Sequence, residues 1–243
     1  MDAKKRNAPP QGASSGSESR SFRDASHELG RLLQSRAPVD WQRSRRWCSE
    51  ILTPVIEASP TSRRLTEVLE GHPYIVGGDE HHVINVESDP ERIYKITHND
   101  NFGCISYFSP HDPDLTGKHF HGTGNADPFL YLKRWRILNL LSGYKTRFEG
   151  FLLPERPHWV PRVCISQPKL GGDNPNVEDI RSAMKKYGFD EISENAFLHF
   201  ETRVLLTDMA PRNVRIVDGV PVPFDAIATF ATPEVLEWAR RER

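Results

Sequence analysis

Long apolar runs are missing from this 243-residue chain. No stretch approaches the roughly 20 consecutive apolar residues of a membrane-spanning helix, and the first residues carry no apolar segment of the secretory-signal type. Paired cysteines are missing too. Cys48, Cys104 and Cys164 are odd in number and far apart, and no CxxC pair occurs, so neither a disulfide framework nor a zinc ribbon is supported. A reducing compartment follows as the expectation, and with it a cytoplasmic protein without a membrane partner. Charge of one sign is also absent: 32 Lys and Arg against 33 Asp and Glu leave a net charge of −1. No global field draws the chain to nucleic acid, so such a partner would need a local patch. No internal repeat is visible.

What is present begins with residues 1–26, rich in Ser, Gly, Pro and charge, with little to bury; they read as a disordered tail. Residues 27–72 carry apolar residues at helical intervals and form an N-terminal helical extension. Pro38 breaks its first two helices, Asp40 is placed to cap the second, and Thr61 or Ser62 opens a third that ends near Gly71. Arg43, Arg45 and Arg46 give this extension a basic face, the sole local support for a nucleic-acid partner. Residues 73–97 read as strand, Gly77-Gly78 turn, strand, turn, strand, with Lys95 inside the last. Residues 98–125 show no period and read as a long loop. Its histidines, His119 and His121 with Cys104 or His111, fit a metal site less well than an ordinary polar loop.

Asp127-Pro128 is a strong helix start, and Gly143 a stop. Between them Leu130, Tyr131, Trp135, Ile137, Leu138 and Leu141 form an apolar stripe, with Lys133, Arg134 and Arg136 expected to face away. Strands are expected over 148–153 and 160–166, a helix from Asn176 to Gly188, strand-like sequence over 197–206, and a last helix from Thr232. The class is α+β.

The chemistry concentrates in residues 204–226. Two apolar runs flank Asp208-Met209-Ala210-Pro211-Arg212-Asn213, and Asp225 ends the next short run. A carboxylate, a carboxamide five residues on and a second carboxylate after a strand are the residue types that orient a hydroxyl and hold Mg²⁺ in phosphoryl transfer. Lys95, at fixed reach on a strand after a glycine turn, suits nucleotide phosphates. Each residue alone is ordinary turn or surface chemistry; their joint order carries the reading.

With these residues in view, the chain resembles the kinase-like domain of polyvalent proteins of phages and other mobile elements, within the protein-kinase-like superfamily. The likeness spans about residues 74–227. It rests on Gly77-Gly78-Asp79-Glu80-His81, Tyr94-Lys95-Ile96-Thr97, Asn139-Leu140-Leu141-Ser142-Gly143, Ile165-Ser166-Gln167-Pro168 and Asp208 to Val214. The resemblance implies a small antiparallel-sheet N-lobe with one long helix (about 73–166), a hinge (166–172) and a much reduced C-lobe (173–243). It implies ATP bound through Gly77, Gly78, Lys95, Ser166 and Gln167, Mg²⁺ held by Asn213 and Asp225, and catalysis by Asp208 with Lys95. The acceptor, protein or small molecule, is not implied.

The chain also departs from that pattern. Its long helix contains no Glu to pair with Lys95, which leaves Asn139 on the helix or Glu149 beyond it as substitutes. Thr207 stands where protein kinases carry His-Arg before the catalytic Asp, and Ala226 where the metal-binding motif has Gly. Three readings stay open: an ATP/Mg²⁺ phosphotransferase, a degenerate kinase-like module that binds nucleotide or a partner, and a nucleic-acid-associated protein of mobile elements.

Overall fold

Alternation along one strand sorts the first half of the fold into two faces. The computed structural model describes residues 41–75, 78, 80–98, 102–110, 119–123, 126–156, 159–172 and 174–242. The expected tail, the first helix of the extension, Asp40, Gly77 and His111 lie outside the described residues, as do the side chains of Arg43, Arg45 and Arg46. In chain order the early elements are α1 (Trp41–Ala58), α2 (Pro60–Leu69), β1 (His81–Ile84) and β2 (Arg92–Thr97). There follow β3 (Ile105–Phe108), β4 (Phe120–Thr123), α3 (Pro128–Ser142), β5 (Arg147–Leu152) and β6 (Arg162–Pro168).

Strands β1, β2, β6 and β5 form an antiparallel sheet in that order. On its outer face Tyr94, Ile96 and Cys164 pack under Leu65 and Leu69 of α2, with Ile84, Val86 and Leu152. Val163 and Ile165 point the other way, into a larger core with Tyr131, Trp135 and Leu138 of α3. Because side chains on a strand alternate faces, Lys95 and Gln167 share the inner face, while Arg92 and Ser166 belong to the outer one.

Of the expected strand before the glycine turn, the described residues include one isolated bridge, Ile75 with Val83. The cap of α2 is Ser59, whose hydroxyl accepts from the Ser62 amide at 3.4 Å ahead of Pro60; the helix thus starts earlier than Thr61. The stretch taken as a featureless loop contains the β3–β4 hairpin. Four-residue strands are too short to show a period, and Phe108 and Phe120 earn their place by packing on Trp238 far along the chain.

Helix α3 matches its signals: the Asp127 carboxylate accepts from the Leu130 amide at 2.8 Å, Pro128 is first, and Gly143 closes it at φ 64°. Two expectations for this helix fail, and the first is Leu130, placed in the apolar stripe but 39% exposed. Arg134 does not face away; it is 2% exposed. It occupies the i+3 place between Tyr131 and the buried Trp135 and Leu138, inside the apolar stripe.

The second half comprises α4 (Val177–Lys186), β7 (Asp190–Ser193), β8 (Ala196–His199), β9 (Val204–Thr207), a 3₁₀ turn (Pro211–Asn213), β10 (Val214–Val217), β11 (Val220–Pro223), β12 (Ile227–Phe230) and α5 (Pro233–Arg241). Asn176 and Asp179 cap α4 reciprocally at 2.9 and 3.0 Å. The strand-like run 197–206 is two strands reversed about Arg203, at φ 60°.

Strands β12, β9, β8 and β7 make a second antiparallel sheet, and β10–β11 a separate hairpin. Leu198 and Leu205 face Val235, Leu236 and Trp238 of α5. Phe197 and Leu206 face the core around α3. The long helix therefore packs between two sheets, each covered on its outer side by a short helix. No helix among the described residues is long and apolar enough to cross a membrane.

Candidate functional site

The register of the second sheet brings the two aspartates to one end. Ile227 pairs with Thr207 at the edge of the β12–β9 ladder, so Asp208 leaves β9 where the Asp225-Ala226 turn enters β12. Asp208 holds a left-handed backbone, φ 55°, which Asp tolerates better than most residues and which reverses the chain into the Pro211–Asn213 turn. Asn213 ties the two segments together. Its side-chain amide donates to the Asp208 carbonyl at 2.8 Å, and its own carbonyl accepts from the Phe224 and Asp225 amides at 3.0 and 3.3 Å. Since the amide nitrogen is committed to Asp208, Asn213 Oδ1 is the atom it offers a cation.

Across the core, Lys95 reaches down from β2. Its ammonium donates to Asp225 Oδ1 at 2.8 Å and to the Phe224 carbonyl at 3.4 Å, and lies over the Trp135 and Phe224 rings. Gln167, beside it on the inner face, donates to the Phe224 carbonyl at 2.9 Å. Both halves of the chain thus close on residues 224–226. Asp225 remains about a third open, its side chain 35% exposed. Burial by itself pushes its carboxyl up, but Lys95 foremost, with His81 and Arg134, overrides this and holds it at about 2.

Arg134 is the group the sequence reading misplaced. Nη1 donates to both Glu80 oxygens at 2.6 and 2.8 Å, Nη2 to the Asp225 carbonyl at 2.9 Å and Nε to the Ala226 carbonyl at 2.8 Å. Glu80 also accepts from the Cys104 amide at 2.7 Å. Burial pushes the Glu80 carboxyl up, yet Arg134 foremost, with His81 and the Cys104 amide, overrides this and lowers the Glu80 pKa. His81 is fully buried against Tyr131, with ring nitrogen to hydroxyl at 2.8 Å. Burial outweighs the Glu80 and Asp225 charges and pushes His81 down to about 4, so it is neutral at pH 7.

Asp208 presents the more open carboxylate, bonded to Arg212 at 3.1 Å with its side chain 44% exposed. Burial raises its pKa, opposed by Arg212, and Asp225 adds to the rise.

The structure thus brings together Lys95, Gln167, Asp208, Asn213 and Asp225. It does not bring Ser166 with them. That hydroxyl faces the outer side, accepting from Arg92 Nε at 2.8 Å and donating to Glu149. Neither substitute partner for Lys95 serves: Asn139 is committed to both backbone groups of Thr146, and Glu149 to Ser166. Gly78 is tied through its carbonyl to His98 at 3.0 Å. His119 hydrogen-bonds Ser193 and lies tilted against the Trp238 ring. Among the described residues the one group with metal-ligand spacing is instead Glu80, His81 and Asp225, with ligand atoms within 4.8 Å.

An apolar cavity of about 160 Å³ lies elsewhere, between Leu140, Met184, Tyr187, His199, Leu206 and Pro223; it contains none of the charged site residues.

Two signals in the sequence pointed at Arg134 and Glu80: a charged residue at the i+3 place of an apolar stripe, and a carboxylate three residues after Gly77. Compared with family models, curated proteins and solved structures, the chain matches none.

Proposed function

We propose that this chain is a kinase-type phosphotransferase that uses ATP and Mg²⁺. In this reading the sheet carrying Lys95, with helix α3, is a small upper lobe, and residues 173–243 are a much reduced lower lobe. The observation that carries the reading is the Lys95 Nζ–Asp225 Oδ1 contact at 2.8 Å, which joins positions 130 apart in sequence beside an Asp208–Asn213 turn.

The donor set suits the proposed cofactors. Asp225 and Asn213 Oδ1 are hard oxygen donors, the kind Mg²⁺ prefers. Lys95 is a point cation within reach of the same place, fit for a phosphate oxygen. Mg²⁺, when bound, neutralises charge on the transferring phosphoryl group. Asp208, the more open of the two aspartates, orients the acceptor hydroxyl, and its contribution is positioning rather than covalent chemistry. Gln167 and Arg134 fix the backbone from which Asp225 projects.

Asp208→Ala is expected to abolish phosphoryl transfer while ATP·Mg²⁺ binding survives. Transfer at the wild-type rate in that variant would remove Asp208 from its role.

A second reading is favoured by one observation: Lys95 is 4% exposed and its ammonium is already held by Asp225. A module that binds nucleotide, or a partner, without catalysis is compatible with that pairing. ATP·Mg²⁺ binding with no transfer to any hydroxyl acceptor or to water would select it.

A further inference from the structure

Arg134 has an unusual assignment for a helix residue. All three of its nitrogens are used, and they serve two segments that are distant in sequence: Glu80, next to the glycine turn, and the carbonyls of Asp225 and Ala226. The guanidinium is buried, and its planar fork of five N–H groups spans a bidentate carboxylate and two carbonyls with four hydrogen bonds, one more than an ammonium can donate. Gly103 completes the arrangement. Its φ is 110°, and a Cβ there would stand 2.6 Å from Glu80 Oε1 and closer still to the Tyr131 ring. The Cys104 amide reaches Glu80 because residue 103 has no side chain.

The charges also balance in a particular way. Glu80 and Asp225 face Arg134 and Lys95, two carboxylates against two cations. Lys95 has no helix carboxylate, and Asp225 is its carboxylate partner. Ammonium and cation therefore draw on the same carboxylate.

We propose that Glu80 and Arg134 are positioning residues that fix the Asp225-Ala226 turn to the entry of β1 at Glu80, and so set how much divalent cation contributes to nucleotide binding. This rests on the nucleotide–metal reading of the Lys95–Asp225 site. With the bridge intact, Arg134 is held on Glu80 and on carbonyls, 4.0 Å from Asp225 Oδ1, and Asp225 is available to a cation once Lys95 moves to phosphate. Without the Glu80 charge, the guanidinium is an unbalanced cation beside Asp225. It then opposes Mg²⁺ and favours the bare polyphosphate.

The test is calorimetric titration of the full chain with ATP, with and without Mg²⁺, for wild type, Glu80→Gln, Arg134→Lys and Glu149→Gln. Glu80→Gln is expected to lose about tenfold of the Mg²⁺ enhancement, the usual scale for a group that supports a metal ligand, while metal-free ATP binds severalfold tighter. Arg134→Lys keeps the charge but cannot span both carbonyls and the carboxylate, and is expected to lose the enhancement without the metal-free gain. Glu149→Gln, on the outer face, leaves both affinities unchanged. A merely structural role for the bridge would lower both affinities together with stability, and that result, or an unchanged Mg²⁺ enhancement in Glu80→Gln, overturns the proposal.

Amide exchange separates this from the function itself. Wild type that fails to bind ATP·Mg²⁺ contradicts the proposed function and with it the cation role. Faster exchange of the Phe224 and Asp225 amides in Glu80→Gln would then still show that the bridge positions the turn, and unchanged exchange would contradict that as well.

Discussion

Arg92 and Lys95 leave the same strand three residues apart and enter two different kinds of network. Arg92 points outward and donates to the Ser166 hydroxyl at 2.8 Å, the Ser166 carbonyl at 2.7 Å and, just ahead of β5, the Lys145 carbonyl at 2.7 Å. Lys95 points inward and reaches a carboxylate that belongs to the other sheet. Both cations are buried, and on burial alone they look alike. What separates them is the span of their partners. The outer network joins neighbouring strands and serves architecture. The inner one joins β2, α3, the entry of β1 at Glu80 and the Asp225 turn, with one carboxylate left partly open.

Predictions follow from that contrast, and the largest effect should come from the outer network. Arg92→Ala removes hydrogen bonds from a buried charged donor, each worth about 1.5–3 kcal/mol. A loss of about 4.5 kcal/mol or more in denaturant unfolding is expected from three such bonds, with ATP·Mg²⁺ affinity of the folded fraction unchanged. A variant that unfolds no more easily but loses nucleotide binding would reverse the roles assigned to the two networks.

The inner network should reveal itself through pH. His81 is pushed from 6.5 to about 4, so between those values the unfolded chain binds a proton that the folded chain does not. Stability is full above pH 6.5 and falls as pH drops toward 4, by about 1.4 kcal/mol per unit and on the order of 3 kcal/mol across the window. Below that, Asp225, held at about 2, adds a further loss as it protonates. His81→Gln should flatten the unfolding profile between pH 6.5 and 4. The same slope in wild type and variant would contradict a buried neutral imidazole.

The smallest effect belongs to Arg212, exposed and paired with a half-open Asp208. Arg212→Ala is expected to change thermal stability by under about 0.5 kcal/mol, as surface ion pairs do. A loss of several degrees in Tm would mean that the Asp208 turn depends on it.

Much of this fold was legible where local chemistry decides. Asp127-Pro128 and Gly143 bound α3, Asn176 caps α4, and Thr232 caps α5, accepting from the Val235 amide at 3.3 Å. Those signals act within one turn of helix and need no tertiary context. Asp208, Asn213 and Asp225 were likewise readable as a set, because their order and the short strands between them place them at one sheet end.

What was not legible depends on partners far away. The β3–β4 hairpin packs Phe108 and Phe120 on Trp238, far along the chain, and four residues per strand leave no period to detect. Ser166 was assigned to the nucleotide with Gln167, as the hinge that the resemblance implies, but strand alternation sends the two side chains to opposite faces. Arg134 was read as surface because it is charged, although its place in the stripe was apolar. A buried charge is stable only with partners, and those partners, Glu80 and two carbonyls, lie 54 to 92 positions away.

The central claim is that Asp225 and Lys95 form a nucleotide–cation site. It is tested most directly by thermal unfolding in millimolar ATP, with and without Mg²⁺, for wild type beside Asp225→Ala. A ligand specific for the folded state must raise its stability, by about 2.7 kcal/mol at a hundred times Kd. Wild type should be stabilised by ATP with a further increment from Mg²⁺, and Asp225→Ala should lose that increment. No stabilisation of wild type, or an equal Mg²⁺ increment in Asp225→Ala, would contradict the claim.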